Sequence, residues 1–590
     1  MGALAIVVVT FVGYLVVYHT YGRFLARRIF RLRRDAEVPS KVFADGIDFV
    51  PTRRSVIFGH HYTSIAGTGP IVGPAIGIIW GWAPALIWVF VGSIVMGAVH
   101  DLGALVISLR NEGKSISEIA ARYISRRVRT IFFLIVFLAL LIVIAIFGVV
   151  VATIFKIAPK SVIPIWCQIP IAMMLGVAVY RWRANLVLAT VVAVAAMYAT
   201  IWLGAAGGDV VMPDLTVGTF VLPATGVWVL ILLAYVFVAS TLPVTLLLQP
   251  RDYINAWQLF IAMGLLVTGI AAAALGEGGL PIVAPAFRAA PPGAPPIVPF
   301  LFVTIACGAI SGFHCLVASG TSVKQIRCET DALFVGYGSM LLEGALAVLV
   351  IVAVGAGIGM AYSQGGQTLT GTAAWDAHYA TWSGAKGLSD KVNAFLFGAR
   401  NLLVSLGLKP QFALALMGVF VASFAGTTLD TATRIQRYVI SELAGDLKLK
   451  RLANRWVATA IAVGSAAALA FTAGASGTGA MTLWPMFGAV NQLLAALALL
   501  VVTIYLRRRG GWGFVLTLGP CLFMLVITMW AMISNEINFL TMPVAEGALA
   551  YKKWVLVIIN GAMLPLAAVV AAEALTTLVK PNKPPAEQAA

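Results

Sequence analysis

Apolar residues run through the chain in blocks of about twenty, parted by short polar or basic stretches. Fifteen blocks can be drawn, with ends good to about three residues: 3–22, 56–79, 81–108, 130–155, 161–179, 186–206, 224–248, 256–275, 299–323, 331–359, 411–440, 455–473, 481–506, 512–533 and 553–577. Runs of that length match the hydrocarbon thickness of a bilayer and predict transmembrane helices. Three stretches depart from the pattern. Residues 276–298 are rich in Pro, Gly and Ala and predict an irregular loop. Residues 115–125 put Ile116, Ile119, Ala120 and Tyr123 on one helical face, which predicts a short amphipathic helix along the membrane interface. Residues 391–407 predict a similar short helix on the other side. Pro243 kinks the block 224–248, and residues 471–485 read as a turn.

Composition agrees with the blocks. Of 590 residues, 61% are hydrophobic and 11% charged, and the mean hydropathy is +0.96. The formal charge of +17 invites a nucleic-acid reading, which its distribution rejects. Of the 40 Lys and Arg, 31 fall in alternate loops and nine (Lys156, Lys160, Arg288, Lys386, Lys391, Arg400, Lys409, Lys552 and Lys553) on the opposite side. That asymmetry predicts that the basic loops, Arg251 among them, are cytoplasmic, with the N-terminus outside and the C-terminus inside. The first block lacks a basic start and a small-residue cleavage site, so it is expected to be retained. The five cysteines show no paired or metal-binding spacing and read as small apolar residues.

Two blocks carry related strings in opposite orientation, "GHHYTSIAGTG" at 59–69 and "SGFHCLVASGT" at 311–321. Each is followed by a long span, a short interfacial helix and another long span. The same order of parts run in opposite directions marks an inverted repeat, the usual architecture of secondary transporters. The expected division is an N-terminal helix and basic loop (1–55), repeat one (56–206), an inserted helix pair with its loop (207–298), repeat two (299–506), and C-terminal helices with a short tail (507–590).

The candidate chemistry sits in these blocks. Gly67, Gly69, Pro70, Gly73 and Pro74 cannot sustain a regular helix. Broken backbone at membrane depth is tolerated only where protein or a water-filled cavity satisfies it. A half-helix starting near Pro70 would aim free N–H groups at a carboxylate, and the exposed carbonyls could hold a cation; a packed proline kink would read the same way. The expected substrate contacts are His60, Ser64, Gly67, Thr68 and Gly69, with a matching break giving His314, Ser319, Gly320 and Thr321. Histidines inside spans mark a pathway or a proton relay unless they are hydrogen-bonded packing residues. His61, His100, Asp101 and Glu343 are the relay candidates, although adjacent helix positions such as His100 and Asp101 need not pair, and Glu343 stands alone in its block. No i,i+3 or i,i+4 ligand pair occurs among them, so no metal beyond Na⁺ is expected. The run "SFAGTTLDTATR" (423–434) offers hydroxyls and Asp430 to Na⁺ or a proton, including Thr431; the alternative pairs Asp430 with Arg434 one turn on.

The strings "GIDFVPTRRSVIFGHHYTSIAGTGPIVGPAIG" (46–77), "GAVHDLGALVISLRNEGKSISEIA" (97–120), "GAISGFHCLVASGTSVKQI" (308–326) and "AGTTLDTATRIQRY" (425–438) resemble, in order, the carbon starvation protein CstA family of bacterial inner-membrane transporters. The family's usual form carries Gln at the second position of the histidine pair, where this chain has His61, so the weight falls on His60. The resemblance implies an all-α membrane fold of the amino acid–polyamine–organocation superfamily, a LeuT-like five-plus-five inverted repeat with two broken helices. It implies uptake of peptides or of pyruvate during nutrient limitation, coupled to H⁺ or Na⁺, with no other cofactor. By position in that superfamily, a coupling cation would lie between backbone at Ala66–Gly67 and the hydroxyls of Thr427 and Thr428.

The function expected from all this is a secondary active importer of a small carboxylate or short peptide, with His60 and Asp430 as proton or cation participants. An amino-acid or organic-acid transporter or exporter of the same fold, or a transporter-like nutrient sensor, is the alternative. Six scattered histidines do not supply the boxes of an intramembrane di-iron enzyme, and no nucleic-acid partner is expected. Oligomeric state leaves no mark in the sequence.

Overall fold

The computed structural model describes residues 2–364, 366–385, 387–446, 448–543 and 550–580. Lys386 and Lys583, counted above among the loop cations, and the Pro-rich tail beyond 580 lie outside them. Among the described residues, thirteen helices are long and apolar enough to cross a membrane, or fourteen when the bent pair Arg54–Ile65 and Gly69–Trp80 is taken as one span. The chain is a multi-pass, all-α membrane protein whose described strands form two short hairpins, Leu215–Val217 with Phe220–Leu222 and Tyr362–Gln364 with Gln367–Leu369.

The ninth expected span, 299–323, is where the structure departs from the apolar pattern. Residues 299–323 form two short helices, Ile297–Thr304 and Gly312–Gly320, separated by non-helical backbone at 305–311. The second break therefore lies before His314, and the expectation of a break at Ser319–Thr321 is corrected. Ser319 and Gly320 are the last residues of a helix, and Thr321 is its cap. The break forms without proline because Asn491 of helix Trp484–Arg508 takes over its hydrogen bonds, accepting from the Phe313 amide at 2.9 Å and donating to Ser311 Oγ at 2.9 Å. A Cβ on Gly312 would stand 2.2 Å from the Asn491 carbonyl, so only glycine allows that approach.

A second shift concerns the inserted pair. Helix Ala224–Thr241 stops before Pro243, as the kink predicted, but the next helix starts at Leu248 and runs to Leu275. Arg251 and Asp252 thus lie at the buried start of a helix, at 2% and 0% exposure, and not in a loop. The polar run "QPRDYIN" reads as a loop only while its partners are out of sight.

The order of parts after each broken helix matches. The first is followed by Trp82–Leu109, short helix Ile116–Tyr123 and Arg126–Ile157. The second is followed by Glu329–Met360, short helix Leu388–Val404 and Pro410–Asp446. The long third members pack against each other at the centre. The apolar face of Ile116–Tyr123 is buried against Arg126–Ile157 and Trp484–Arg508, so protein covers it where the sequence suggested lipid. Helices Ala3–Ile29, Leu186–Ala206, Arg455–Ala473 and Lys552–Val579 are the least buried and form the rim. Residues 276–296 are irregular, as their composition predicted.

Candidate functional site

The first broken helix bends by 43°. Its leading half ends where Ala66 leaves helical geometry, and its trailing half begins at Gly69 with Pro70, whose missing N–H is not needed in a first turn. Among the described residues no acceptor meets the amides of Gly67 and Thr68, both buried. Two such N–H groups at a helix start suit an anion. The second break comes up against this one. A Cβ on Gly69 would stand 2.4 Å from Cys307 Sγ, and one on Gly73 would stand 2.8 Å from the Thr304 carbonyl.

One polar cluster surrounds the leading half. His60 Nδ1 lies 2.5 Å from Asp252 Oδ2, and His60 Nε2 lies 3.3 Å from the Thr321 hydroxyl. Ser64 Oγ donates to Asp252 at 3.2 Å and lies 3.1 Å from Thr431 Oγ1. Beside it, Asp430 is paired with Arg251 and accepts from Tyr235 Oη at 2.9 Å, while Arg251 also donates to Tyr235 at 2.7 Å. The expected alternative, Asp430 with Arg434, is not formed: Arg434 reaches Asp48 at 2.9 Å. Gly426 makes room for this arrangement, since a Cβ there would stand 2.6 Å from Arg251 Nη2. One oxygen of each carboxylate, Asp252 Oδ1 and Asp430 Oδ1, has no partner among the described residues.

A second cluster lies along the other break. His100 Nδ1 is 2.7 Å from Asp101 Oδ1, and His314 Nδ1 is 2.9 Å from Asp101 Oδ2. The adjacent His100 and Asp101 do pair, because the short carboxylate reaches sideways to the neighbouring ring. Glu343 Oε2 lies 3.2 Å from His314 Nε2, close enough for an ion pair but too poorly angled for a hydrogen bond. Glu343 is therefore not isolated. Carboxylates bracket both nitrogens of His314, so its imidazole can take a proton on one side and release it on the other. Cys307 Sγ joins His314 and Glu343, with the three ligand atoms within 4.8 Å of one another. That donor set is one a divalent transition metal accepts, and spacing along the chain did not reveal it because the ligands come from separate elements.

The remaining candidates divide clearly. Thr428 Oγ1 donates to the Ser64 carbonyl at 3.3 Å, and Thr427 Oγ1 lies 3.3 Å from the Thr63 carbonyl and 3.0 Å from the Phe424 carbonyl of its own helix. His61 turns away to the Ser322 hydroxyl at 2.8 Å. Ser319 accepts from the Ile116 amide at 3.2 Å and donates to the Cys315 carbonyl, which ties the short helix to the bundle. Gly320 packs against Ile435.

The sequence matches the profile of the carbon starvation protein CstA over residues 2–531. The chain belongs to the CstA family. It is 32% identical to the peptide transporter CstA of Campylobacter jejuni, an alignment that spans 93% of this chain and 81% of that one. It is 31% identical to the pyruvate/proton symporter BtsT of Escherichia coli, over 93% of this chain and 83% of that one. A manganese transporter from Eremococcus coleocola superposes with a TM-score of 0.48 at 13% identity, covering 90% of this chain and 99% of the other. In this CstA-family chain the sequence reading missed Arg251, Asp252, Tyr235, Cys307 and Asn491. Tyr235, Cys307 and Asn491 signal themselves only through tertiary partners; the adjacent Arg251–Asp252 pair beside an apolar run was the one legible sign.

Proposed function

We propose that this chain is a secondary active transporter that imports a small carboxylate such as pyruvate, or a short peptide, across the bacterial inner membrane with a proton. The observation that carries this reading is the meeting of two helix breaks, Gly69 against Cys307, between two buried clusters of His and carboxylate side chains. The relatives' names, one of them a pyruvate/proton symporter, support it. On this reading residues 56–206 and 299–506 are the inverted repeats, and the basic loops face the cytoplasm.

The substrate carboxylate would lie at the Gly67 and Thr68 amides, with His60, Ser64, Gly69, Thr321 and His314 around it. Arg251 supplies the coupling logic. While Asp430 is ionised it holds the guanidinium; once Asp430 takes a proton, the charge of Arg251 is freed for a substrate carboxylate nearby. Asp101, His314 and Glu343 would carry the proton past the second break, with His100 on Asp101. Proton coupling is favoured over Na⁺ because the Thr427 and Thr428 hydroxyls, which a cation at Ala66–Gly67 would need, are engaged with the carbonyls of Thr63 and Ser64. Uptake of labelled pyruvate and of dipeptides into proteoliposomes, under separately imposed H⁺ and Na⁺ gradients, tests this. Accelerated uptake under the H⁺ gradient alone is expected; no acceleration under either gradient would end the reading.

A further inference from the structure

At the basic-loop end of the bundle, away from both breaks, a cavity of about 540 Å³ opens between the end of helix Ala3–Ile29 and the start of helix Glu329–Met360. Its lining includes Arg23, Arg27, Arg34 and Arg54, with Asp331 as its one carboxylate: four positive charges against one negative, net +3. The neighbouring acids are already committed. Glu329 accepts from Arg110 Nε at 2.6 Å and from the Arg33 amide at 2.7 Å, and Asp35 pairs with Arg33. Arg54 Nε stands 3.8 Å from Asp331, with its guanidinium 4.2 Å over the Phe334 ring. Among the described residues, Arg23, Arg27 and Arg34 have no carboxylate partner.

Like charges crowded around one hollow repel unless an anion fills it. The surroundings say which anion. Val8, Val12, Leu15 and Val16 of the same helix are exposed, so an apolar face runs down to the cavity and ends roughly two turns before Arg23. Tyr18, Leu333 and Phe334 give the cavity itself an apolar wall. An apolar track ending in a guanidinium cluster, at the level of the basic loops, matches an amphiphile with an anionic head. Basic pockets between membrane helices on that side bind the phosphates of acidic lipids.

We propose that this cavity is a binding site for the phosphate of an acidic phospholipid headgroup. Arg54 is the first residue of the leading half of the broken helix, and Asp331 stands at the start of the span that carries Glu343. A bound phosphate would compete with Asp331 for Arg54 and hold these two elements relative to each other, so the lipid would act on the half-helix that alternating access must move.

The test is native mass spectrometry of the full chain in detergent, titrated separately with phosphatidylglycerol, cardiolipin, phosphatidylcholine and inorganic phosphate. Adducts with the two acidic lipids and none with phosphatidylcholine are expected. Arg23→Gln, Arg27→Gln and Arg34→Gln should each weaken the acidic-lipid adduct by roughly fivefold, the contribution of one basic residue beside an anionic surface. Arg28→Gln, an exposed arginine outside the cavity lining, should leave it unchanged. Thermal unfolding in phosphatidylcholine alone checks that the variants fold, and Arg34→Gln, on a loop, keeps the test open if a helical variant does not. Equal adducts in wild type and variants, or equal loss with Arg28→Gln, would overturn the proposal. So would millimolar inorganic phosphate that displaces the lipid, since the site would then serve a free anion.

Discussion

Asp252 holds His60 at 2.5 Å, and through that contact the start of helix Leu248–Leu275 grips the leading half of the broken helix. Both side chains are fully buried, so removing one partner leaves the other stranded. Asp252→Ala should cost about 3–5 kcal/mol, as breaking a buried pair does, while the double variant with His60→Leu should recover part of it. Thermal unfolding of the four proteins in one detergent measures both. Transport should be lost in all three variants; uptake by Asp252→Ala at the wild-type rate would remove this pair from the mechanism.

Asp430 and Arg251 make a second prediction, of opposite kind. If the guanidinium is released when Asp430 is protonated, Asp430→Asn mimics the protonated state. This variant should bind the carboxylate substrate yet lose the dependence of uptake on an imposed H⁺ gradient, with exchange across the membrane retained. Arg251→Lys should lose most uptake: Nη1 alone donates to both Asp430 and Tyr235, but the compact, strongly hydrated ammonium of lysine is costlier to hold charged in this buried site than a guanidinium. Counterflow assays separate exchange from driven uptake.

These two pairs show how far the chain can be read before it is folded. The apolar blocks located nearly every span, and the Gly/Pro run at 67–74 located the first break, because both signals are local. The second break was misplaced by about ten residues. Its cause is not a breaker in its own string but Asn491, some 180 positions on, which caps Phe313. Arg251 was read into a loop for the same reason: its neutralising partner is Asp430 on another helix. Asp101 and Glu343 were singled out, yet what each does depends on His314, which spacing could not supply. Chemistry carried by one segment was legible; chemistry shared between segments was not.

On the side away from the basic loops, Lys391 is wholly buried, donating to the His378 carbonyl at 3.0 Å with its ammonium 3.8 Å from the Tyr379 ring centre. Burial pulls its pKa down from 10.5 to about 7, although Asp390 pulls it up. Between about pH 7 and 10.5 the unfolded chain binds the proton that the folded chain releases, so stability should rise with pH across that window and the penalty should be full below it. Lys391→Met should unfold at a higher temperature than the wild type at pH 6.5, and the gap should narrow by pH 9. A gap of constant size would show that Lys391 is charged in the fold at both values.

Thr427 and Thr428, whose hydroxyls an ion site at Ala66–Gly67 would need, reach the carbonyls of Thr63 and Ser64. If they only pin the half-helix, replacing both with Val removes two hydrogen bonds, about 1 kcal/mol each. Stability should fall by about that sum while uptake stays independent of Na⁺. If a Na⁺ sits there, the wild type should be stabilised by NaCl over KCl at equal ionic strength and the variant should not. The first outcome is expected, and a specific Na⁺ stabilisation would overturn the preference for proton coupling.

Gly69 and Cys307 bring the two breaks together, and their contact can be tested on its own. An added methyl at Gly69 would stand 2.4 Å from Cys307 Sγ and 2.5 Å from its Cβ, so something must move. Overpacking of this kind costs about 1–3 kcal/mol. Cys307→Ser leaves the Cβ in place and should not rescue Gly69→Ala, whereas Cys307→Gly removes both offending atoms and should. A double-mutant cycle on thermal stability reads that coupling directly. The same cycle on uptake has a sharper use. If the breaks slide past each other during transport, Gly69→Ala should slow uptake by more than its stability loss explains, and Cys307→Gly should restore the rate with the stability. Recovery of stability without recovery of rate would mean that the Cys307 thiol does more than fill space, and would direct attention to its place beside His314 and Glu343.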